Sequence, residues 1–362
     1  MNYASKSRPL MWIAPVSLLL ALFSSSYTEV RQQEFFASLK NTVVIGQPSV
    51  YQEVDGIRLK FHYGEMRYNP VGIAQQVLRY SEEQLIGVSG LSITPYSIML
   101  STDENVLQIA DFFMSHYEVE EIAGLNVLRL PYEFGYPFYG LNAPWYSGMA
   151  QGHAMIVLLH AYKVTNEPKF LSYAEKLFNV LKIPLTDGGV LVTTDSNSII
   201  FEEYADPTQD MSNAPKVLNG NIFAIDGLFW FWCLTGSEDA KRLLINSIVS
   251  MNDMFPEYNA MFWSYYDLQG NYANAKYHKL HLRQIIRLKE YAELLDIDGL
   301  TNFMSVYDRW SLNNALPFFG YFERMLLNKN RMLYVIFLSN FCIWLVVLFF
   351  INLLLNLRVR GK

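Results

Sequence analysis

Cysteine is almost absent from this chain of 362 residues, which has only Cys233 and Cys342. Two cysteines cannot form a disulfide framework, and their separation does not match the ligand spacing of a zinc site. The sequence also lacks a phosphate-binding glycine loop, a His-Glu-x-x-His motif and a recognisable Ser-His-acid motif. We therefore expect no metal and no cofactor, and hydrolase or nucleotide-binding chemistry has no motif to support it.

An excess of positive charge is also missing. The chain has 28 Lys and Arg against 34 Asp and Glu, which gives a net charge of -6. Nucleic-acid binding needs a basic surface, so we exclude a nucleic-acid partner. Aromatic residues are plentiful, with 24 Tyr, 24 Phe and 7 Trp. This composition suits the stacking of sugars, and it equally suits a large aromatic core with membrane anchors.

Long apolar runs lie at both ends. Residues 332–357 carry no charge and precede Arg358 and Arg360, a pattern that predicts a transmembrane helix. The N-terminal run 10–23 is shorter and follows Lys6 and Arg8, so residues 1–26 are a signal peptide or an N-terminal anchor. We expect a membrane protein with one span, or two if the N-terminal segment is retained. The region between the ends then faces the periplasm, a lumen or the exterior.

The middle of the chain is predicted to be mainly helical. Residues 27–68 contain a short apolar run and an Asp55-Gly56 turn, which predict a small strand-bearing segment. Helices are then expected in four pairs. The first pair runs from Asn69-Pro70 to about Tyr80 and from a capping box at 101–104 to about Tyr117, and the second from Ser147 to about Tyr162 and from about 166 to Lys182. The third pair runs from about Asn219 to Leu234 and from Ser237 toward Met251, and the fourth from Lys276 to Leu295 and from Leu300 to Asn313. Four such hairpins over residues 69–327 predict an incomplete α/α barrel; a helical solenoid is the alternative.

Candidate site residues cluster where these helices meet loops. The segment 145–153, Trp-Tyr-Ser-Gly-Met-Ala-Gln-Gly-His, forms an aromatic helix mouth that can stack against a sugar. Later segments place Glu203 and Tyr204 before a turn, Tyr266 in a polar connector and Tyr277 at a helix start. A barrel with these connections would bring all four segments to one rim. A tyrosine beside cationic or hydrogen-bond-donating groups can become a phenolate able to take a proton from carbon.

These segments resemble the D-glucuronyl C5-epimerase family. The likeness rests on the helix-mouth motif 145–152, the Glu-Glu-Tyr loop at 202–204, the Val-Leu-Asn-Gly run at 217–220, the Tyr-Asp-Leu connector at 266–268 and the Tyr-His pair at 277–278. It extends over roughly residues 69–312. The resemblance implies an α/α barrel and a metal-independent conversion of glucuronate to iduronate within a polymer.

The resemblance also implies roles for individual residues. Glu203, Tyr204, Tyr266 and Tyr277 become the candidate catalytic acid/base group. The candidate substrate-binding residues are Asn219 and His278, together with Trp145, Tyr146, Gln151 and His281. Two positions depart from the family, because Gln269 and Asn274 stand where it has arginine. Arginine binds carboxylates and sulfates through two parallel hydrogen bonds, so these changes bear on the substrate.

The sequence thus predicts an isomerase, a membrane-attached C5-epimerase that acts on a uronic-acid polysaccharide outside the cytoplasm. Two alternatives remain: a polyuronide lyase or α/α-barrel glycosidase, and a non-catalytic glycan-binding component of a polysaccharide assembly or secretion system. A lyase shares the first proton abstraction and then expels the C4 substituent. A homodimer or a polysaccharide-assembly complex is a further expectation about partners.

Overall fold

The computed structural model describes residues 11–43, 51–62, 64–80, 98–100, 102–328 and 331–360. Its helices are α1 (Ile13–Val43), α2 (Pro70–Ala74), α3 (Asp103–His116), α4 (Gly148–Thr165), α5 (Pro168–Val180), α6 (Leu218–Thr235), α7 (Glu238–Met254), α8 (Ala275–Leu294), α9 (Thr301–Ala315), α10 (Pro317–Leu327) and α11 (Arg331–Arg360). The chain is therefore mainly helical, as the sequence predicts.

The strands are short and antiparallel. They are β1 (Tyr51–Val54), β2 (Ile57–His62), β3 (Glu65–Tyr68), β4 (Leu78–Tyr80), β5 (Ile98–Leu100), β6 (Val119–Ile122), β7 (Leu125–Leu128), β8 (Leu191–Thr193) and β9 (Ile199–Phe201). β1, β2 and β3 form one sheet, and the other strands pair as β4–β5, β6–β7 and β8–β9. Asp55 and Gly56 join β1 to β2 with positive φ angles of 51° and 76°, as a tight hairpin requires.

The two central helices, α4 and α6, pack closely at a pair of glycines. A Cβ on Gly152 would lie 2.6 Å from the Phe223 carbonyl oxygen, and one on Gly227 would lie 2.5 Å from the Gly152 Cα. Both helices are buried on almost every side, which explains why they are apolar all round. α4 also packs against α3 and α5, and α6 packs against α7 and α8. This close crossing sets the spacing between the helix starts that hold the site.

The helices after Ser147, Asn166, Ser237 and Asn274 begin close to where the sequence places them. Ser147 caps α4 by accepting a hydrogen bond from the Ala150 N–H at 3.3 Å. The first predicted pair is wrong in part, because α2 ends at Ala74 and residues 78–80 form β4 instead. The Gln76 side chain bonds to the Arg58 N–H and the Gly56 carbonyl oxygen, so tertiary contacts to the β hairpin end the helix. The predicted capping box begins at residue 101, outside the described residues, and Thr102 makes no side-chain cap bond.

Two described helices are long and apolar enough to cross a membrane, Ile13–Phe36 within α1 and Arg331–Leu355 within α11. These are the predicted C-terminal span and the N-terminal segment that was expected to be a signal peptide or an anchor. α1 continues without a break past residue 26 to Val43. Two serines of α1 contact α11: Ser24 Oγ accepts from the Trp344 indole N–H at 3.1 Å, and Ser25 Oγ accepts from the Asn340 side-chain amide at 2.9 Å.

The terminal helices are tied to the rest of the molecule through α10, which the sequence analysis did not predict. Arg324 forms a buried bidentate ion pair with Glu29, at 2.8 and 2.6 Å. The same guanidinium lies 4.3 Å from the centre of the Trp263 ring. Glu323 accepts hydrogen bonds from the backbone N–H groups of Met261 and Phe262. α10 therefore connects α1 to the loop that precedes α8.

Candidate active site

Two adjoining cavities form a cleft beside the start of α6. The first, about 390 Å³, is called the aromatic lobe; among its lining residues are Tyr132, Phe134, Tyr136, Trp145 and Tyr204. The second, about 1030 Å³, is called the basic lobe; among its lining residues are Arg31, Lys276, Tyr277, Lys279 and Arg283. Val71, Gln75 and Glu203 line both lobes. Glu203 is therefore the carboxyl group at the junction of the cleft.

Glu203 lies against the first turn of α6. A Cβ on Gly220 would be 2.1 Å from Glu203 Oε2, so only glycine leaves room for this carboxyl. Oε2 is buried and has no hydrogen-bond partner among the described residues. Burial and the negative charge of Glu202 raise the pKa of Glu203 to about 8. A carboxyl with this pKa can both take up and return a proton near neutral pH.

Glu202 differs from its neighbour Glu203 in that both of its carboxylate oxygens accept hydrogen bonds. It is fully buried, and its two oxygens accept the backbone N–H groups of Tyr204 at 3.0 Å and Lys216 at 2.7 Å. Burial raises its pKa to about 7, while these hydrogen bonds act in the opposite direction. Glu202 thus holds the loop between β9 and α6 in shape. It is a positioning residue for Glu203, and it does not line either lobe.

The three candidate tyrosines lie in a series next to Glu203. Tyr204 is close enough to Glu203 and Tyr266, and Tyr266 to Tyr277, for each group to affect the pKa of its neighbour. The Tyr266 and Tyr277 rings meet edge to face at 4.9 Å. Tyr204 lines the aromatic lobe and Tyr277 lines the basic lobe. The series therefore connects the two sides of the cleft.

In this arrangement the surroundings of the three tyrosines favour the neutral phenol. Burial raises the pKa of Tyr204, Tyr266 and Tyr277, and the charge of Glu203 raises each further. They are therefore neutral phenols, which can donate protons, and Glu203 is the group that can accept one.

Trp145 is part of the wall of the aromatic lobe. It lines the aromatic lobe and stacks on Tyr132 at 3.9 Å, while its indole N–H donates to the Phe134 carbonyl oxygen. Tyr146 is buried behind this wall, with the Arg129 guanidinium 4.4 Å from its ring centre. Tyr146 does not line either lobe. Trp145 can thus contact a sugar, and Tyr146 supports the wall.

Three other expected substrate contacts are buried in the interior. The Gln151 amide fits between Leu128 and Leu130, with its nitrogen 3.1 Å from the Leu128 carbonyl oxygen and its oxygen 3.2 Å from the Leu130 N–H. Nδ1 of His278 and Nδ1 of His281 lie 2.8 and 3.0 Å from Ser264 Oγ. Burial lowers the pKa of both histidines, that of His278 to about 3. None of the three lines either lobe, so we assign them a structural role.

Asn219 and the two positions that depart from the family, Gln269 and Asn274, lie in different environments. Asn219 lines the basic lobe, and its Oδ1 is buried without a partner among the described residues. Gln269 donates to the Asn213 carbonyl oxygen at 2.7 Å, and Asn274 caps α8 by accepting from the Tyr277 N–H at 2.9 Å. Neither of these two residues lines a lobe.

Several site residues were missed by the sequence analysis. Tyr136 stacks on Tyr204 at 5.1 Å, and Tyr139 lies 4.7 Å from the same ring. The Tyr139 hydroxyl also donates to Asp267 at 2.5 Å, which ties the aromatic wall to the connector that carries Tyr266. Aromatic residues at alternate positions from 132 to 138 were the signal for this wall. No comparable signal marked the α1 residues, because they belong to a segment interpreted as a signal peptide or entry region.

Known proteins match part of this chain. An uncharacterized protein of Methanocaldococcus jannaschii is 31% identical over 202 residues, which are 55% of this chain and 60% of that protein. The D-glucuronyl C5-epimerase of Caenorhabditis elegans is 32% identical over 157 residues, which are 38% of this chain and 24% of that protein. The chain thus spans less than two thirds of the length of each of these relatives.

The family model described as D-glucuronyl C5-epimerase C-terminus matches residues 124–311. The match contains Glu203, the three tyrosines and the helices that hold them. Because it covers more than half of the sequence, the chain belongs to the D-glucuronyl C5-epimerase C-terminal domain family.

Proposed function

We propose that this protein is a C5-epimerase that acts on a uronate residue within an acidic polysaccharide. The observation that carries the proposal is the position of Glu203 at the junction of the two lobes, in contact with a series of phenols that reaches the other side. Epimerisation at C5 needs a base for one face of the sugar and an acid for the other. Residues 69–327 supply both groups, and we propose that they form the epimerase domain, with the helices arranged as an incomplete α/α barrel.

The chemistry follows from the protonation states. Ionised Glu203 removes the C5 proton, and the electron pair of the broken C–H bond moves into the adjacent carboxylate of the sugar. A phenol on the opposite face, for which Tyr277 is well placed in the basic lobe, then donates a proton to C5. The new C–H bond forms with inverted configuration. The sugar polymer stays intact, because no bond to its neighbours is broken.

The tyrosine series also explains how the site resets. After one turnover Glu203 holds an extra proton and Tyr277 has lost one. Tyr204 and Tyr266 lie in series between these two groups, so the proton can return from Glu203 to Tyr277 within the protein. The reaction then needs no external acid, base or cofactor. In the reverse direction the same groups exchange roles.

Glu202 is not the second carboxyl group that a glycosidase would need. Glycoside hydrolysis uses two carboxyl groups on either side of the scissile bond. Both oxygens of Glu202 accept backbone N–H groups, and this residue does not reach the cleft. A polyuronide lyase begins with the same proton abstraction, so the two activities are separated by their products.

The test is solvent exchange on the full-length protein in detergent or lipid nanodiscs. Incubation with a glucuronate polymer in deuterated water is expected to place deuterium at C5 without shortening the chain. Glu203→Gln should abolish exchange, and Glu257→Gln, a residue outside both lobes, should not. Ultraviolet-absorbing unsaturated ends would instead identify a lyase. Bound polymer without any exchange would leave only a glycan-binding role.

A further inference from the structure

The wall of the basic lobe that faces α8 comes from the N-terminal apolar helix. Tyr27, Thr28, Val30, Arg31 and Glu34 of α1 line this lobe. They lie toward the C-terminal end of Ile13–Phe36, the stretch of α1 that is long and apolar enough to cross a membrane. The start of the region expected to be a small strand-bearing segment is therefore helical and lines the candidate active site.

Positive charge is concentrated on both sides of this lobe. Arg31 projects from α1, while Lys276, Lys279 and Arg283 come from α8. The acidic residues that line the lobe are Glu34 and Glu203. The whole chain has a net charge of -6, so this local excess of positive charge is opposite in sign to the net charge of the chain. The Asn219 side-chain oxygen is also buried without a partner here among the described residues.

Helix stability does not explain the lysines of α8. Lys276 and Lys279 lie in the first turns of the helix, where no acidic residue accompanies them. The N-terminus of a helix carries partial positive charge, so lysine there is unfavourable by a few tenths of a kcal/mol. Both side chains are exposed and face the lobe. Their position fits the binding of an anion, because an anion interacts favourably with the lysines and with the helix end.

We infer that the basic lobe is a subsite for an acidic sugar residue that neighbours the reacting one in the polymer. This inference rests on the proposed function. Glu203 and Tyr277 both line the lobe, so a reacting uronate held between them leaves its neighbour in the polymer within the same lobe. Arg31 and the α8 lysines then bind the carboxylate or sulfate of the next acidic residue. These side chains thereby supply positive charge to the substrate, which the uncharged Gln269 and Asn274 do not provide.

The decisive test is polymer binding measured by calorimetry on the full-length protein in nanodiscs of neutral lipid. The double variant Arg31→Gln/Lys276→Gln removes one charge from each wall. Loss of an exposed charge contact changes affinity by about two- to fivefold, so the double variant should bind roughly tenfold more weakly. Its affinity should also depend less on salt, because fewer charges are screened. Binding equal to the wild type would overturn the inference.

A matched control is Lys289→Gln on the same helix. Lys289 pairs with Glu293 at 3.2 Å on the surface and does not line the lobe. It should leave polymer affinity unchanged, and an equal loss there would show that only general charge is measured. A second arm adds anionic phosphatidylglycerol to the nanodiscs at constant ionic strength. If that lipid displaces polymer from the wild type and not from the double variant, the lobe holds a lipid headgroup and the inference fails.

These outcomes are separable from those of the proposed function. Charge-dependent binding without deuterium exchange would support the subsite and remove the epimerase assignment. Exchange at C5 with unchanged affinity in the double variant would support the epimerase and remove the subsite. In the variant that binds weakly, KM for the polymer should rise while kcat stays near the wild-type value, since neither residue touches C5.

Discussion

Gly220→Ala is the sharpest test of the site geometry. The added methyl group would lie 2.1 Å from Glu203 Oε2 and 2.6 Å from Glu203 Cβ. Because the second contact involves the base of the side chain, rotation of the carboxyl alone cannot relieve it. Glu203 must therefore move by about an ångström, and a misplacement of this size costs about a hundredfold in rate.

The effect on stability should be small by comparison. Alanine is favoured over glycine in a helix by up to ~1 kcal/mol. Overpacking costs ~1–3 kcal/mol, so the two contributions largely offset each other. Deuterium exchange at saturating polymer should fall about a hundredfold, while the unfolding temperature in the same detergent changes by a few degrees.

The control lies at the other end of the same helix. Gly236 ends α6 with a φ of 64°, and no atom lies within 4 Å of where its Cβ would be. Gly236→Ala should cost ~1–2 kcal/mol through backbone strain and leave the exchange rate unchanged. If Gly220→Ala exchanges deuterium at the wild-type rate, or if Gly236→Ala loses as much activity, the position assigned to Glu203 is wrong.

Three further predictions concern other parts of the molecule. Tyr277→Phe should lower C5 exchange by ~10²–10⁴-fold with little change in unfolding temperature, because only a hydroxyl is lost; full activity would exclude Tyr277 as the acid. The pKa of Glu203 is raised, so its contribution to stability is complete below about pH 4.5 and is lost as pH rises through about 8. Chemical unfolding should therefore show Glu203→Gln to be more stable than the wild type at pH 9 and not at pH 4, and an equal difference at both would contradict this origin. Glu29→Leu should cost ~3–5 kcal/mol by leaving Arg324 unpaired, and Glu29→Leu/Arg324→Leu should recover much of it in thermal unfolding; a single variant as stable as the wild type would show the pair to be unimportant.

Local signals predicted a large part of the fold. Ser147 and Ser237 were recognisable as helix starts because a short polar side chain at the start of a helical run can cap the first turn. Gln76 shows where such signals fail. The run from Pro70 to Tyr80 looks helical by itself, but hydrogen bonds from Gln76 to the distant β hairpin end the helix early. Contacts between remote segments cannot be recognised from local periodicity.

The candidate site likewise contains residues that local motifs identify and residues whose position only the fold determines. Glu203, Tyr204 and Tyr277 were named because they lie in motifs, and the cleft brings them together. His278 and His281 belong to the same motif region, yet they fill the interior around Ser264, since sequence position does not show which side of a helix faces a cavity. The protonation states of the candidate tyrosines also could not be predicted from the sequence. They depend on burial and on the charge of Glu203, which only the folded arrangement provides.

The ion pair between Glu29 and Arg324 joins positions 295 residues apart in sequence. Each side chain is almost fully buried, so neither can change its charge while the other keeps its own. We therefore expect natural variation at the two positions to be correlated, with acid and base retained, reversed or lost together. The same constraint extends to protein engineering: a truncation that removes residues 1–30 to obtain a soluble domain leaves a buried guanidinium beneath Trp263 and should fail unless Arg324 is replaced as well.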